Sequence, residues 1–407
     1  MQLTIYRGTH QIGGCATEFR TGRARILIDL GSELPGPDGV QKDETMELMG
    51  ITSGKPDCGG VFFTHNHGDH VGQIDRVLEG VPIYIGKTAR DVALLVNRRI
   101  NAAGDDRRGT TIAALERVNT FSPATPVVVG DIQVTPFCID HSAFDAYMFL
   151  VEAEGIRVLH SGDFRLHGFR GRRTLPMLEK YVGQVDWLIC EGTTMSRQNK
   201  HMETERELQS EARMLMEKYR RVFVLCSSTN IDRIAAFYHA RPDNRPVVCD
   251  YFQKSVLDLV SNRYGHQSTL YNFRYVYPYS ESNSKLLSLM NDRGFVAFIR
   301  SNEWSSKILE KYGNDATVVY SMWDGYLAGN TRLDNMLTGR RVERIHTSGH
   351  ASQDDIIKLC NTINPRCGVI PIHSEAPDLF PKMMPNRYVK ILSDGERFNL
   401  LGDKHEV

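Results

Sequence analysis

The chain has 407 residues, of which 41% are hydrophobic and 24% charged. This ordinary globular balance excludes disorder, collagen and coiled coil, and the length predicts two or three domains. Lysine plus arginine total 49 and aspartate plus glutamate total 49, a net charge of zero that excludes nucleic-acid binding through bulk charge and leaves only local patches.

Taken in chain order, short apolar runs predict strands at residues 3–7, 25–29, 60–64 and 81–85, with a helix over 88–102. Residues 127–129 and 133–135 flank Gly130-Asp131, a hairpin signal, and 147–152 and 157–160 form a second pair around Gly155. A strand over 186–190 closes this section. Next come a charged amphipathic helix (203–221), a buried strand (221–226), a helix (230–239), a strand (246–250) and a helix (251–263). Strands follow at 295–299 and 317–321, then around Ile345 and at 369–372. Strands alternating with helices predict a mainly parallel sheet in the middle of the chain. The eight cysteines, at 15, 58, 138, 190, 226, 249, 360 and 367, form no C-x-x-C pair and predict reduced thiols in a cytoplasmic protein. The first residues lack the apolar core of a signal peptide, and no apolar run approaches the roughly 20 residues of a membrane span, so no membrane partner is expected.

The strongest chemical signal is Thr64-His65-Asn66-His67-Gly68-Asp69-His70, placed after a strand and before a helix-compatible stretch. Three imidazoles and a carboxylate on one strand-to-helix turn converge on a small volume and suit zinc or a similar transition metal. Surface histidines are the bland alternative, and the spacing H-x-H-x-D-H argues against it. The pattern resembles the signature of the metallo-β-lactamase superfamily. That resemblance implies an αββα sandwich and further ligands at strand ends: His141, Asp163 and His373 stand at such places. About 210 residues separate Asp163 from His373, so an insertion is expected between them.

Near the insertion's edges lie Cys190-Glu191-Gly192-Thr193 and Thr347-Ser348-Gly349-His350-Ala351, which resemble two motifs of the β-CASP nucleases, with His373 as a third. The family includes ribonuclease J and the nuclease that cleaves pre-mRNA 3′ ends. The resemblance implies core segments 1–195 and 346–407 around an inserted α/β β-CASP domain over 196–345. It implies two zinc ions, or manganese, with His65, His67 and His141 on one, Asp69, His70 and His373 on the other, and Asp163 bridging. A water ionised there would attack phosphorus, His350 would protonate the leaving oxygen, and Glu191 would orient His350. Ser227-Ser228-Thr229-Asn230 resembles the family's phosphate-binding turn, so Ser227, Ser228 and Asn230 are candidate substrate-binding residues. Members acting on RNA tend to carry histidine at the position of His373, while the DNA-repair branch tends to carry valine, which favours RNA as the partner; the inserted domain is expected to face the core across a cleft with the metals at its floor, and a narrow cleft would admit only single-stranded RNA.

Asp29, at its strand end, is a candidate to fix an imidazole, or simply caps a turn; Gly13-Gly14 lets a loop pass close to the site, or is a plain turn. Arg165, in the arginine-rich stretch 165–173 after Asp163, is a candidate phosphate contact at the lip of the site, with a solvated loop as the alternative. The pairs Arg98-Arg99, Arg107-Arg108, Arg220-Arg221 and Arg340-Arg341 fit solvated faces better. The chain departs from ribonuclease J at Trp323-Asp324-Gly325-Tyr326, where that group usually carries a different glycine-rich turn, so substrate preference is expected to differ. The expected function is a metal-dependent ribonuclease, with a homodimer as its expected assembly. A DNA nuclease of the same family and a small-molecule hydrolase of the same fold are the alternatives.

Overall fold

The computed structural model describes residues 1–35, 45–106, 108–197, 202–327 and 330–402; Arg107 lies outside them. Among these the strands form three sheets, of seven, six and six strands. The first sheet runs Arg397–Asn399, Gln2–Arg7, Ala16–Arg20, Arg25–Ile28, Gly60–Phe62, Ile83–Gly86, Asn119–Phe121. The second runs Gly368–Ile372, Trp187–Glu191, Ile156–His160, Ala146–Ala153, Ile132–Ile139, Val127–Val129. Their inner faces share one apolar core, in which Leu3, Phe19 and Phe62 meet Phe149, Val158 and Trp187. Full burial of each such side chain contributes about 1.5–3 kcal/mol. The outer face of the first sheet packs Leu27, Val61 and Ile85 on Ala89 and Ala93 of helix Lys87–Asn101. The second sheet packs Leu159, Leu188 and Val369 on Leu178 of helix Thr174–Tyr181 and on Ile356 and Cys360 of helix Gln353–Ile363. The core is therefore the expected αββα sandwich.

The third sheet, in the order Val276–Pro278, Val247–Cys249, Phe295–Ile299, Arg221–Leu225, Thr317–Tyr320, Arg341–Arg344, is parallel throughout. Its central strands are near-continuous runs of β-branched and aromatic residues, because both faces are covered. Its helices begin where a short polar side chain accepts a backbone N–H: Asn230, Asp250, Asn283, Asn302 and Asn330 each cap one. The last strand of this sheet covers Arg341–Arg344, so Ile345 lies just beyond it rather than inside a strand of its own. None of the eight cysteines forms a disulfide; six are buried, while Cys138 and Cys367 are partly exposed. Among the described residues no helix is long and apolar enough to cross a membrane.

Candidate metal centre

The site is built from strand ends. In the second sheet, Asp163 follows Ile156–His160, Glu191 ends Trp187–Glu191, and His373 follows Gly368–Ile372, all three strands being parallel neighbours. His141 follows Ile132–Ile139 on the same edge. Facing them, strand Gly60–Phe62 of the first sheet leads through Thr64 into His65, His67 and the short helix Gly68–Val71, which carries Asp69 and His70.

Asp29 holds this turn. It stands in the left-handed region (φ 61°) just past Arg25–Ile28. Its carboxylate accepts from the Thr64 backbone N–H at 2.8 Å and the Thr64 hydroxyl at 2.9 Å, and pairs with His70 Nδ1 at 2.8 Å. Gly31 lets the next loop pass: a Cβ there would lie 1.7 Å from the Asp69 carbonyl oxygen. Gly13, at φ 87°, brings its own loop against Asp69, and the following Cys15 donates its N–H to the Asp69 carbonyl at 3.1 Å.

All seven candidate ligands meet. The nitrogens of His65, His67 and His141 lie within 4.8 Å of one another, as do the ligand atoms of Asp69, His70, Asp163 and His373. Asp163 Oδ2 stands between the two groups, 3.9 Å from His65 Nε2 and from His141 Nε2, and 3.1 Å from His70 Nε2. The His141 Nδ1–H donates to the Gly349 carbonyl at 2.7 Å, which leaves Nε2 with its lone pair toward His67 Nδ1 at 3.2 Å. His373 is held in the left-handed region (φ 54°), with Nε2 3.2 Å from Asp69 and Nδ1 2.8 Å from the Thr193 hydroxyl. Cys15 brings its sulfur beside His70 and His373.

Electrostatics divides the cluster. Burial, aided by neighbouring imidazoles, pushes His65 and His141 well below their ordinary range, and burial holds His67 at about 4. These three are neutral and offer lone pairs. Burial, the largest influence, opposes charge on His70 and His373, but the surrounding groups together outweigh it, Asp163 foremost at both and Asp29 next at His70, and both are raised. Burial works to raise the carboxyls of Asp69 and Asp163, but those histidines override it and hold both below their usual range. The residues fit metal cations. His65 Nε2 and Asp163 Oδ1 are buried with no hydrogen-bond partner, a cost of about 1–3 kcal/mol each that a bound cation removes. Neutral imidazole with carboxylate is the donor set of zinc and similar ions.

His350 stands at the mouth, its ring 5.1 Å from that of His141 and its Nδ1 3.2 Å from Glu191 Oε2. Glu191 is buried and also accepts from the Phe164 N–H at 2.9 Å and the Thr193 hydroxyl at 2.7 Å. The loop bearing His350 is tied down by His167 Nε2 to the Ser348 carbonyl at 2.8 Å and by the Thr194 hydroxyl to the Ala351 carbonyl at 2.5 Å. Thr64, Thr193 and Cys15 are neighbours that spacing did not single out; for the two threonines the signal is adjacency to His65 and Glu191.

One substrate-binding expectation needs correction. Arg165 is not at a lip: it is fully buried, paired with Asp140 at 2.8 Å and Glu205 at 2.8 Å, and donates to the Ser348 carbonyl at 3.2 Å. A guanidinium so enclosed has no face for a phosphate. Asn230 is engaged as a helix cap, its Oδ1 accepting from the Arg233 N–H at 3.2 Å. Ser227 is exposed beside it, and the Ser228 hydroxyl is buried without a partner.

Comparison with known proteins agrees with this geometry. A family model described as a beta-lactamase superfamily domain matches residues 24–225, and one described as a Zn-dependent metallo-hydrolase RNA specificity domain matches residues 339–379. Curated relatives named ribonuclease J include one from Mycoplasma pneumoniae, 22% identical over 92% of this chain, and one from Mycoplasma genitalium, 21% identical over 77%. The chain spans 68% and 57% of the lengths of those two relatives. A solved structure titled as a protein of unknown function from Enterococcus faecalis matches with a TM-score of 0.77 at 20% identity, covering 98% of this chain and 99% of its own. That likeness shows the shared fold. The histidine-rich strand ends of the sandwich, the parallel third sheet and the two matched domains make the chain similar to the metallo-β-lactamase superfamily, and the curated relatives make it similar to its ribonuclease J-like β-CASP branch.

Proposed function

We propose that the chain is a metal-dependent ribonuclease that hydrolyses phosphodiester bonds of single-stranded RNA. One observation carries the reading: a histidine on a buried carboxylate, His350 on Glu191, at the mouth of a cluster whose ligand atoms gather in two groups. The relatives named ribonuclease J and the matched RNA specificity domain support RNA as the substrate class. In this reading residues 1–195 and 346–407 form the core and residues 196–345 the inserted domain. His65, His67 and His141 would hold one metal and Asp69, His70 and His373 the other, with Asp163 available to both. Zinc, or manganese in its place, polarises the phosphate and lowers the pKa of water toward neutrality when bound there.

The protein's own residues do the rest. Glu191 Oε2 accepts from His350 Nδ1 and so leaves Nε2 to carry the proton that the leaving oxygen needs. Thr193 joins Glu191 to His373 and fixes that ring. Asp29 does the same for His70. The test is metal content together with cleavage of labelled single-stranded RNA and matched DNA. Two metals per chain and RNA-selective cleavage, lost in Asp69→Ala and His350→Ala, are expected. Two metals with no cleavage of either nucleic acid would overturn the ribonuclease reading.

A further inference from the structure

Beyond the cluster, Trp323 and Tyr326 stand out: they are 51% and 58% exposed. Their rings meet at 5.5 Å and 85°, forming an angled shelf. The turn that carries them is built rather than loose. The Tyr320 hydroxyl donates to the Trp323 carbonyl at 2.9 Å, the Tyr326 N–H donates to the same carbonyl at 3.1 Å, and Asp324 pairs with Arg344. Gly325 lets the indole lie against the backbone, since a Cβ there would sit 2.3 Å from the ring. Two large rings are thus held in place while much of their area faces water.

Their position ties them to the metal centre. The guanidinium of Arg197 lies 5.7 Å from the Trp323 ring. Arg197 belongs to the turn after Glu191, its N–H donating to the Thr194 carbonyl at 3.0 Å. That same turn holds the loop of His350 through Thr194 and through Gln353 Nε2 on the Met195 carbonyl at 3.2 Å. The shelf therefore stands between the third sheet and the mouth of the cluster, with a cation at its edge.

We propose that Trp323 and Tyr326 are a stacking platform for an unpaired base of the strand that enters the metal centre, with Arg197 on the adjoining phosphate. The inference rests on the ribonuclease reading and deepens it. An aromatic face binds any base through its π-face and reads no sequence, so the platform selects strandedness and not base identity. A base inside a duplex has both faces covered and gains nothing from the shelf.

The test uses zinc-loaded protein carrying His350→Ala, so that RNA is retained, with two probes: a short oligouridylate and an abasic ribose-phosphate oligomer of equal length. Trp323→Ala and Tyr326→Ala, each added to that background, should weaken oligouridylate binding by about 5- to 150-fold, the span for one stacked base, and leave the abasic probe unaffected. Oligouridylate should quench indole emission, and Trp323→Phe should abolish the quenching while keeping most of the affinity, since Trp187 is buried and Trp304 partly so. Equal penalties on both probes, or binding without quenching, would overturn the platform and leave the ribonuclease reading standing. No binding of either probe to the parent would overturn both. A changed sedimentation of Trp323→Ala with unchanged RNA affinity would overturn the platform in favour of contact between copies of the chain.

Discussion

Glu191 has both oxygens engaged: Oε1 accepts from the Phe164 and Ala351 N–H groups, and Oε2 from the Thr193 hydroxyl and His350. Glu191→Gln keeps the shape but removes the charge and one acceptor. Its kcat on single-stranded RNA should fall with KM and metal content unchanged, by less than the about 10²–10⁴-fold expected for His350→Ala. An equal loss of metal in Glu191→Gln would show that it supports the ligands instead of His350. At this scale the cluster is legible in the sequence, because each candidate ligand follows an apolar run that positions it. Arg165 is not, because its partners Asp140, Glu205 and Asp232 come from three distant segments, and a basic stretch looks the same in sequence whether its charges are solvated or enclosed.

Gly31 shows how an element boundary controls the site. Its loop leaves the strand Arg25–Ile28 and crosses the backbone of the metal-binding turn, where a methyl group would collide with the Asp69 carbonyl. Gly31→Ala should displace Asp69 and His70, lowering metal content and melting temperature together, while Gly22→Ala, with open space around it, should do neither. Calorimetry and metal analysis check both. Long apolar strands and the amphipathic helix Glu205–Lys218 are legible by periodicity. Strands such as Asn119–Phe121 and Arg397–Asn399 have three residues each, too few for a pattern, and only their neighbours in the sheet define them.

Across the whole molecule, a buried ionic network joins the third sheet to the core. Glu205 sits between Arg165 at 2.8 Å and Arg233 at 3.0 Å, and Arg233 donates to the Thr347 carbonyl at 2.8 Å beside the His350 loop. Burial works to raise the Glu205 carboxyl, but Arg233 and Arg165 override it and hold it at about 2. Its contribution to stability is therefore fully present above the ordinary 4.5 and lost as pH falls through about 2. Glu205→Gln should cost about 3–5 kcal/mol in urea unfolding at neutral pH and flatten the acid limb of the stability profile. An unchanged acid limb would assign the acid sensitivity to other groups. The same scale governs the order in which the sandwich closes. Gln2 pairs with Asn399, and Trp187 with Gly368, so both core sheets keep an open edge until residues 368–399 have been made. A nascent chain on the ribosome thus already displays His65, His67, Asp69, His70, His141 and Asp163, but not yet His350 or His373. The order of the segments thus brings the proposed acid and the last ligand to a centre whose other six residues precede them in the chain.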